Sequence, residues 1–406
     1  MKITGVNVHL SNITTQAGGL KLWTASVPLS GVKMELAGIK GPLAFKSGEL
    51  NLKDGHLDGT FEGELGSALK AKGQLHVPNI EKPVADVEIS TPLLDLDQLV
   101  RASGPSAPAA RKAATAAPGK GDLVAEIKAT ADRVRYSPYE GTGAHAEIKI
   151  YDNRTEGPLT MAFYGGSLGI TTRFDSAQTP QRFTANVQLS QVDMEKLLSV
   201  DPGTKGKMTG HGEVKLQLLG TLDNNPINSL SGAGNFALHD GRLPGVNLSK
   251  SMKELSQIQQ VFNLGQSGGS TSGETTYSLI AGDLSIRSAR LVTNRTHADT
   301  NMGSGDIKGS VGFDQTLDMT GQWTLAPGAT GAAGGAANPA GILGNVLGQV
   351  TQTKGGTLSV PFKVGGTLNN PKMTPGGAPT MKGGTSTTPT AQQPQKKSIL
   401  DLFKKP

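Results

Sequence analysis

The chain has 406 residues, 55 glycines, 23 prolines and only 4% aromatics. That is enough for two or three domains or one long sheet, but poor in the large side chains that fill a globular core. It has no cysteine, which excludes a disulfide framework, a zinc ribbon and a thiol nucleophile. The net charge of +6 is concentrated: residues 101–121 carry +4 and residues 372–406 carry +5, leaving −3 elsewhere, so the body lacks the basic folded surface of a nucleic-acid binder.

In chain order, residues 1–100 read as β repeat unit one. The opening MKITGVNVHLSNITT has no signal-peptide apolar core and starts as a strand. It reads as mid-strand, the expectation for a chain whose N-terminal part lies upstream. Lys53-Asp54-Gly55 predicts a tight hairpin, because Asp-Gly supplies the positive φ such a turn requires. The unit closes on VADVEISTPLLDLDQLV, residues 84–100, an alternating strand followed by a helical turn.

Residues 101–121 form a Pro/Ala/Gly linker with no apolar periodicity. Residues 122–201 are β repeat unit two. Here Ala144–Ile150 reads as hairpin-like, and RFTANVQLSQVDMEKLLSV, residues 182–200, reproduces the closing block of unit one. Ala85–Ser90 matches Ala185–Ser190 at an offset of 100, and after the extra Thr91-Pro92 the helical turns match at an offset of 98. So long a period marks a supersecondary unit used twice.

Residues 202–371 continue with strands at Gly212–Leu219, Gly234–Leu238 and Thr276–Ile286, and Phe236–Leu243 reads as another strand-turn-strand around Asp240-Gly241. Leu248, Met252, Leu255, Ile258 and Phe262 predict an amphipathic helix near 248–264. It suits packing on a sheet end better than a lipid surface, since its polar face is rich in Ser and Gln. Ile342, Leu343, Val346, Leu347 and Val350 predict a weak helix, and Thr357–Val364 a last strand. Residues 372–406 read as a disordered basic tail with a short amphipathic end. There Ile399, Leu400, Leu402 and Phe403 lie among lysines. They read as a solubilising tail or as contacts to an anionic membrane or a partner.

No catalytic constellation emerges. His9, His56, His76, His145, His211, His239 and His297 are scattered, without the i, i+4 spacing of a zinc helix. His56 and His239 read as polar residues flanking turns. Gly203–Thr209, GTKGKMT, lacks the Gly-Lys-Ser/Thr ending of a phosphate loop. The acid pairs Asp95/Asp97 and Asp193/Glu195 fit helix starts. The expectation is no enzyme, metal or cofactor, and no run apolar enough for a membrane-spanning helix.

What remains is strand after strand with one apolar face and few helices to cover them. The predicted fold is mainly β: a long curled antiparallel sheet, a β-groove of repeated units with a few short helices. Two readings of the apolar faces stand: sandwich packing within the protein, or a groove for acyl chains. The groove candidates are Val87, Ile89, Ile148, Ile150, Phe183, Val187, Leu189, Phe236 and Leu238.

Over residues 1–371 the chain resembles the AsmA family of Gram-negative envelope proteins, especially its C-terminal region. The resemblance rests on Phe163-Tyr164-Gly165-Gly166-Ser167-Leu168, on Gln191–Leu198, on the strands from Gly210 to the predicted helix, and on the paired phrases Gly220–Pro226 and Gly366–Pro371. It implies kinship with TamB and the bridge-like lipid transfer proteins. It further implies a periplasmic protein associated with the inner membrane through an anchor not present in this sequence or through a partner. Such a protein binds or conveys phospholipid or another acyl-chain lipid between inner and outer membrane and so supports outer-membrane biogenesis alongside other envelope proteins. The alternative is a scaffold of β-sandwich units regulating outer-membrane protein assembly.

Overall fold

The computed structural model describes residues 2–6, 9–16, 19–35, 41–102, 121–222, 226–244, 275–301, 303–325, 357–368, 370–377 and 380–382. Its strands are β1 (Lys2–Thr4), β2 (His9–Gln16), β3 (Gly19–Pro28), β4 (Lys33–Glu35), β5 (Pro42–Lys53), β6 (His56–Leu65), β7 (Leu69–Val77) and β8 (Ala85–Asp95). Helix α1 (Leu96–Ala102) separates these from β9 (Leu123–Tyr136), β10 (Tyr139–Tyr151), β11 (Arg154–Phe163), β12 (Gly166–Asp175) and β13 (Gln181–Asp193). Then come α2 (Met194–Ser199), β14 (His211–Leu222), α3 (Pro226–Ser229), β15 (Ser231–Leu243) and β16 (Thr275–Arg287). The last strands are β17 (Arg290–Thr300), β18 (Gly303–Gly312), β19 (Leu317–Leu325), β20 (Thr357–Thr367), β21 (Asn370–Pro375) and β22 (Thr380–Lys382).

All 22 strands belong to one sheet, which is mostly antiparallel, spans 19 successive strand positions and is not closed. From β5 to β20 each strand pairs with the next in sequence. At one end β5 is flanked by β3 along its second half and β4 along its first; at the other, β20 is flanked by β21 and β22. The predicted β-groove class stands, with one departure from antiparallel pairing. Strands β8 and β9 run parallel, Val87 beside Ile127 and Ile89 beside Ala129. A parallel pair needs a long crossover, and the Pro/Ala/Gly stretch between α1 and β9 supplies its length. The sheet therefore runs unbroken from the first repeat unit into the second.

The repeat seen in the sequence is a repeat of corners. Asp95 ends β8 and accepts from the Gln98 backbone N–H at 3.0 Å; Asp193 ends β13 and accepts from the Lys196 backbone N–H at 3.1 Å. Each aspartate caps the short helix that follows. The Asp95 N–H reaches back to the Ala68 carbonyl, and the Asp193 N–H to the Tyr164 carbonyl, at the preceding hairpin. These hydrogen bonds, from Gln98 and then Arg135 for Asp95 and from Lys196 for Asp193, hold both carboxyls below the usual range. Asp95 is only 1% exposed, and its ion pair with Arg135 ties α1 to β9.

The two rims of the sheet differ. The lower rim carries α1, α2 and the turns at Gly66 and Tyr164-Gly165; the upper rim carries the Asp54-Gly55 and Ser288-Ala289 turns, loop 78–84 and α3. Near the lower rim Ala131, Val134 and Ala144 form a buried cluster with Leu94, Leu96, Leu159 and Met161 packed on it. At the upper rim Ile80, Phe174, Leu222, Ile227, Phe313 and Leu368 are exposed.

Several local expectations change. Phe236–Leu243 is not strand-turn-strand: β15 runs through Asp240, which takes φ 49° within the strand. Tyr277 lies across the ladder from Gly241 and donates to the Thr209 carbonyl at 2.6 Å, holding that path straight. His239 is therefore mid-sheet, opposite His211, rather than beside a turn. Ala144–Ile150 lies wholly within β10. Pairing also continues past residue 371, through β21 and β22. Pro371 and Pro375 sit on that edge strand, where a missing N–H is tolerated. The predicted helices near 248–264 and 342–350, residues 103–120 of the linker, and Ile399, Leu400, Leu402 and Phe403 lie outside the described residues.

Candidate functional site

The ladder register places all nine groove candidates on one face. Ile89, Ala129 and Ala146 adjoin in one row, which continues through Leu159, Ile170, Val187, Leu216 and Gly234. Val87, Ile127 and Ile148 form the next row. Leu189 pairs with Val214 and Val214 with Phe236, while Leu238 faces Gly212. Phe183 pairs with Phe174, in the row that Ile150 begins through Thr155. The opposite face carries Asp86, Glu88, Lys128, Glu147, Asn186, Gln188, Lys215 and Gln217, as period-2 alternation requires.

All nine side chains are half-buried. A sandwich core would bury them fully and a bare surface would leave them exposed. The hydrophobics buried among them on this face are mostly small, such as Ala125 and Ala185, while Val192 at 1% lies at the α2 corner. Sequence reasoning named nine members of this face; Leu75, Ile127, Leu159, Ile170, Leu216 and Leu284 share it, carried by the same alternation.

Glycine shapes the surface. Phe45, Phe61, Phe163 and Phe183 lie directly across the ladder from Gly63, Gly73, Gly166 and Gly220. Phe236, Tyr277, Trp323 and Phe362 face Gly282, Gly241, Gly305 and Gly321. A Cβ on Gly73 would lie 2.6 Å from Phe61 Cζ, and the Phe183 ring occupies the corresponding space over Gly220. The Phe61, Phe183, Tyr277, Trp323 and Phe362 rings thus lie over neighbouring backbone instead of standing up. The high glycine count and scarce aromatics thereby give an apolar wall of low relief that covers itself without a second layer.

Two open depressions follow the strands. One of about 410 Å³ is lined by Leu159, Ile170, Val187 and Leu216 and, from the opposite face, by Thr171, Gln188 and Gln217. One of about 680 Å³ is lined mostly by residues of the opposite, polar face, among them Lys72, Glu88, Lys128 and His145, with Phe61, Gly73 and Ile89 between their rows. Both are within the range of small-ligand sites. Towards β20 the lower half of the apolar face closes: Ala298, Trp323, Val360 and Phe362 are buried. Trp323 Nε1 there is a buried donor without a partner among the described residues.

Among the described residues no group of three or more His, Cys, Asp and Glu is placed to hold a metal. Nor is any described helix long and apolar enough to cross a membrane. The most distinctive titratable cluster is His297, whose Nδ1 lies 2.9 Å from Asp306 and Nε2 3.2 Å from Asp299. The Asp306 hydrogen bond first, then Asp299, raises its pKa above 6.5. Folding therefore favours the protonated ring relative to the unfolded chain. Its small stabilising contribution is complete below pH 6.5 and is lost as pH rises through the raised folded value. An NMR titration of the His297 ring is expected to give a midpoint above that of a free histidine, and His297→Gln to flatten stability against pH in that window.

A scan against protein-family models gives no match, and neither curated proteins nor solved structures give a significant match.

Proposed function

We propose that this is a non-enzymatic, AsmA-like envelope protein that binds or conveys phospholipid along the apolar face of its sheet, in the periplasm and in association with the inner membrane, and so contributes to outer-membrane biogenesis. The carrying observation is the unbroken, half-buried apolar face from β5 to β15 on an open single sheet. Leaving such a face to water is costly, and covering it with an acyl chain returns about 0.8 kcal/mol per methylene. The backbone of the wall is satisfied by its own ladders, so an apolar ligand strands no polar group. The resemblance around Phe163–Leu168 and Gln191–Leu198 supports the envelope setting.

The test is native mass spectrometry of protein purified without detergent, with extraction and identification of bound lipid. Copurified phospholipid in stoichiometric amounts is the expected result. A clean mass of the bare chain, with no lipid in the extract, overturns the proposal.

A further inference from the structure

Within the strands of the apolar face, Phe174 and Leu222 stand out: they are 37% and 46% exposed, whereas the nine groove candidates are half-buried. They sit together. Phe174 pairs with Phe183 at a ring separation of 6.1 Å, Phe183 pairs with Gly220, and Leu222 follows two residues on. Helix α3 packs on β14 beside them and adds Ile227, 53% exposed. The backbone here is held, since the Ser229 hydroxyl accepts from the Thr221 N–H at 2.9 Å. This is a fixed apolar lip on the upper rim, continuous with the row through Phe183.

The lower rim also exposes Val100 of α1 and Tyr136 and Tyr139 around the β9–β10 turn, but its two aromatics there carry phenol hydroxyls. There α1, α2 and the Ala131–Val134–Ala144 cluster close the face. At the C-terminal end Trp323, Val360 and Phe362 are buried as well. The step made of hydrocarbon side chains meeting on one row of the face is thus the one on the upper rim.

We infer that the lip formed by Phe174, Leu222 and Ile227 is a lateral portal over which an acyl chain passes sideways into the groove. The inference rests on the lipid reading above and adds a place of exchange to it. The occupant is an acyl chain, because among the described residues on that face the lip's neighbours Thr155, Gln181 and Gly220 are uncharged. A charged headgroup or an acidic peptide would find no partner there. A chain leaving a bilayer exposes methylenes at about 0.8 kcal/mol each, so an apolar step at the rim lowers the barrier without changing the final bound state.

The test uses vesicles of phosphatidylcholine containing a pyrene-acyl phosphatidylcholine, with stopped-flow uptake and final occupancy both read. Leu222→Asp combined with Ile227→Asp is expected to slow uptake at least fivefold, with final occupancy within twofold of the parent protein. Ile227→Asp alone is expected to slow it less. The control is Val100→Asp on α1, also exposed but on the lower rim, and it is expected to leave the rate unchanged. An unchanged rate in the double variant, or equal slowing by the control, overturns the portal and leaves the groove standing. No uptake by the parent protein overturns the lipid reading and the portal with it.

Discussion

Val187→Asp is expected to remove most of the bound lipid while leaving the fold intact. Val187 is half-buried at the centre of the longest apolar row, between Ile170 and Leu216, and lines the depression over β11–β15. A carboxylate there must either lose its water beneath an acyl chain or keep the chain away. Desolvating an unpaired charge costs several kcal/mol, and each 1.4 kcal/mol is a factor of ten in affinity. The expected loss of copurified lipid is tenfold or more. Two controls separate this from general damage. Leu219→Asp changes an exposed residue of the opposite face that lines neither depression and is expected to leave lipid content alone. Val192→Asp changes a side chain that is 1% exposed and is expected to lose the folded signal by circular dichroism, as a charge in a packed core should. Equal lipid content in the parent and Val187→Asp proteins, both folded, would show that this face does not hold the ligand.

The contrast between Val187 and Val192, five residues apart on one strand, shows how much was legible. Alternation from Phe183 to Leu189 announces a strand with one apolar face, and the ladder confirms it residue by residue. It cannot say whether that face is covered, because coverage depends on what stacks against it from elsewhere in the chain. Val192 is buried because β13 shifts register after Leu189, with Gln191 at φ 54°, and turns into the α2 corner. A local irregularity of that kind leaves no period in the sequence. The offset of 98 between Asp95 and Asp193 did foreshadow two equivalent capped corners. The Asp95–Arg135 pair did not show, because its partners are 40 residues apart. The Asp-Gly pairs illustrate the same limit. Asp54-Gly55 makes the predicted hairpin, with φ 50° and 79°. Asp240-Gly241 has the same local preference, yet pairing with β14 and β16 and the Tyr277 side chain carry the strand through. The lip at Phe174, Leu222 and Ile227 was invisible for a related reason: its residues come from three elements and meet only through register.

A marked loss of stability is also expected from adding a side chain at a glycine. Gly73 lies in the middle of β7, between Phe61 on β6 and Ile89 on β8. A Cβ there would lie 2.6 Å from Phe61 Cζ and closer still to the Glu88 carbonyl oxygen on the other side. The ring could swing away, but the carbonyl belongs to the β7–β8 ladder and cannot move without opening it. Gly73→Val is therefore expected to destabilise the β5–β8 region by about 1–3 kcal/mol, the usual range for overpacking a fitted site, although valine is the better strand former by propensity. The sign is the informative part: propensity alone predicts stabilisation, the fitted ring and carbonyl predict loss. Urea unfolding followed by hydrogen exchange in β6–β8 distinguishes them. Combining Gly73→Val with Phe61→Ala is expected to recover only part of the loss, because removing the ring leaves the carbonyl clash in place. Full recovery would mean that the ring alone sets the fit; no loss in the single variant would mean that the wall has room to spare at this point, and that its low relief does not depend on glycine.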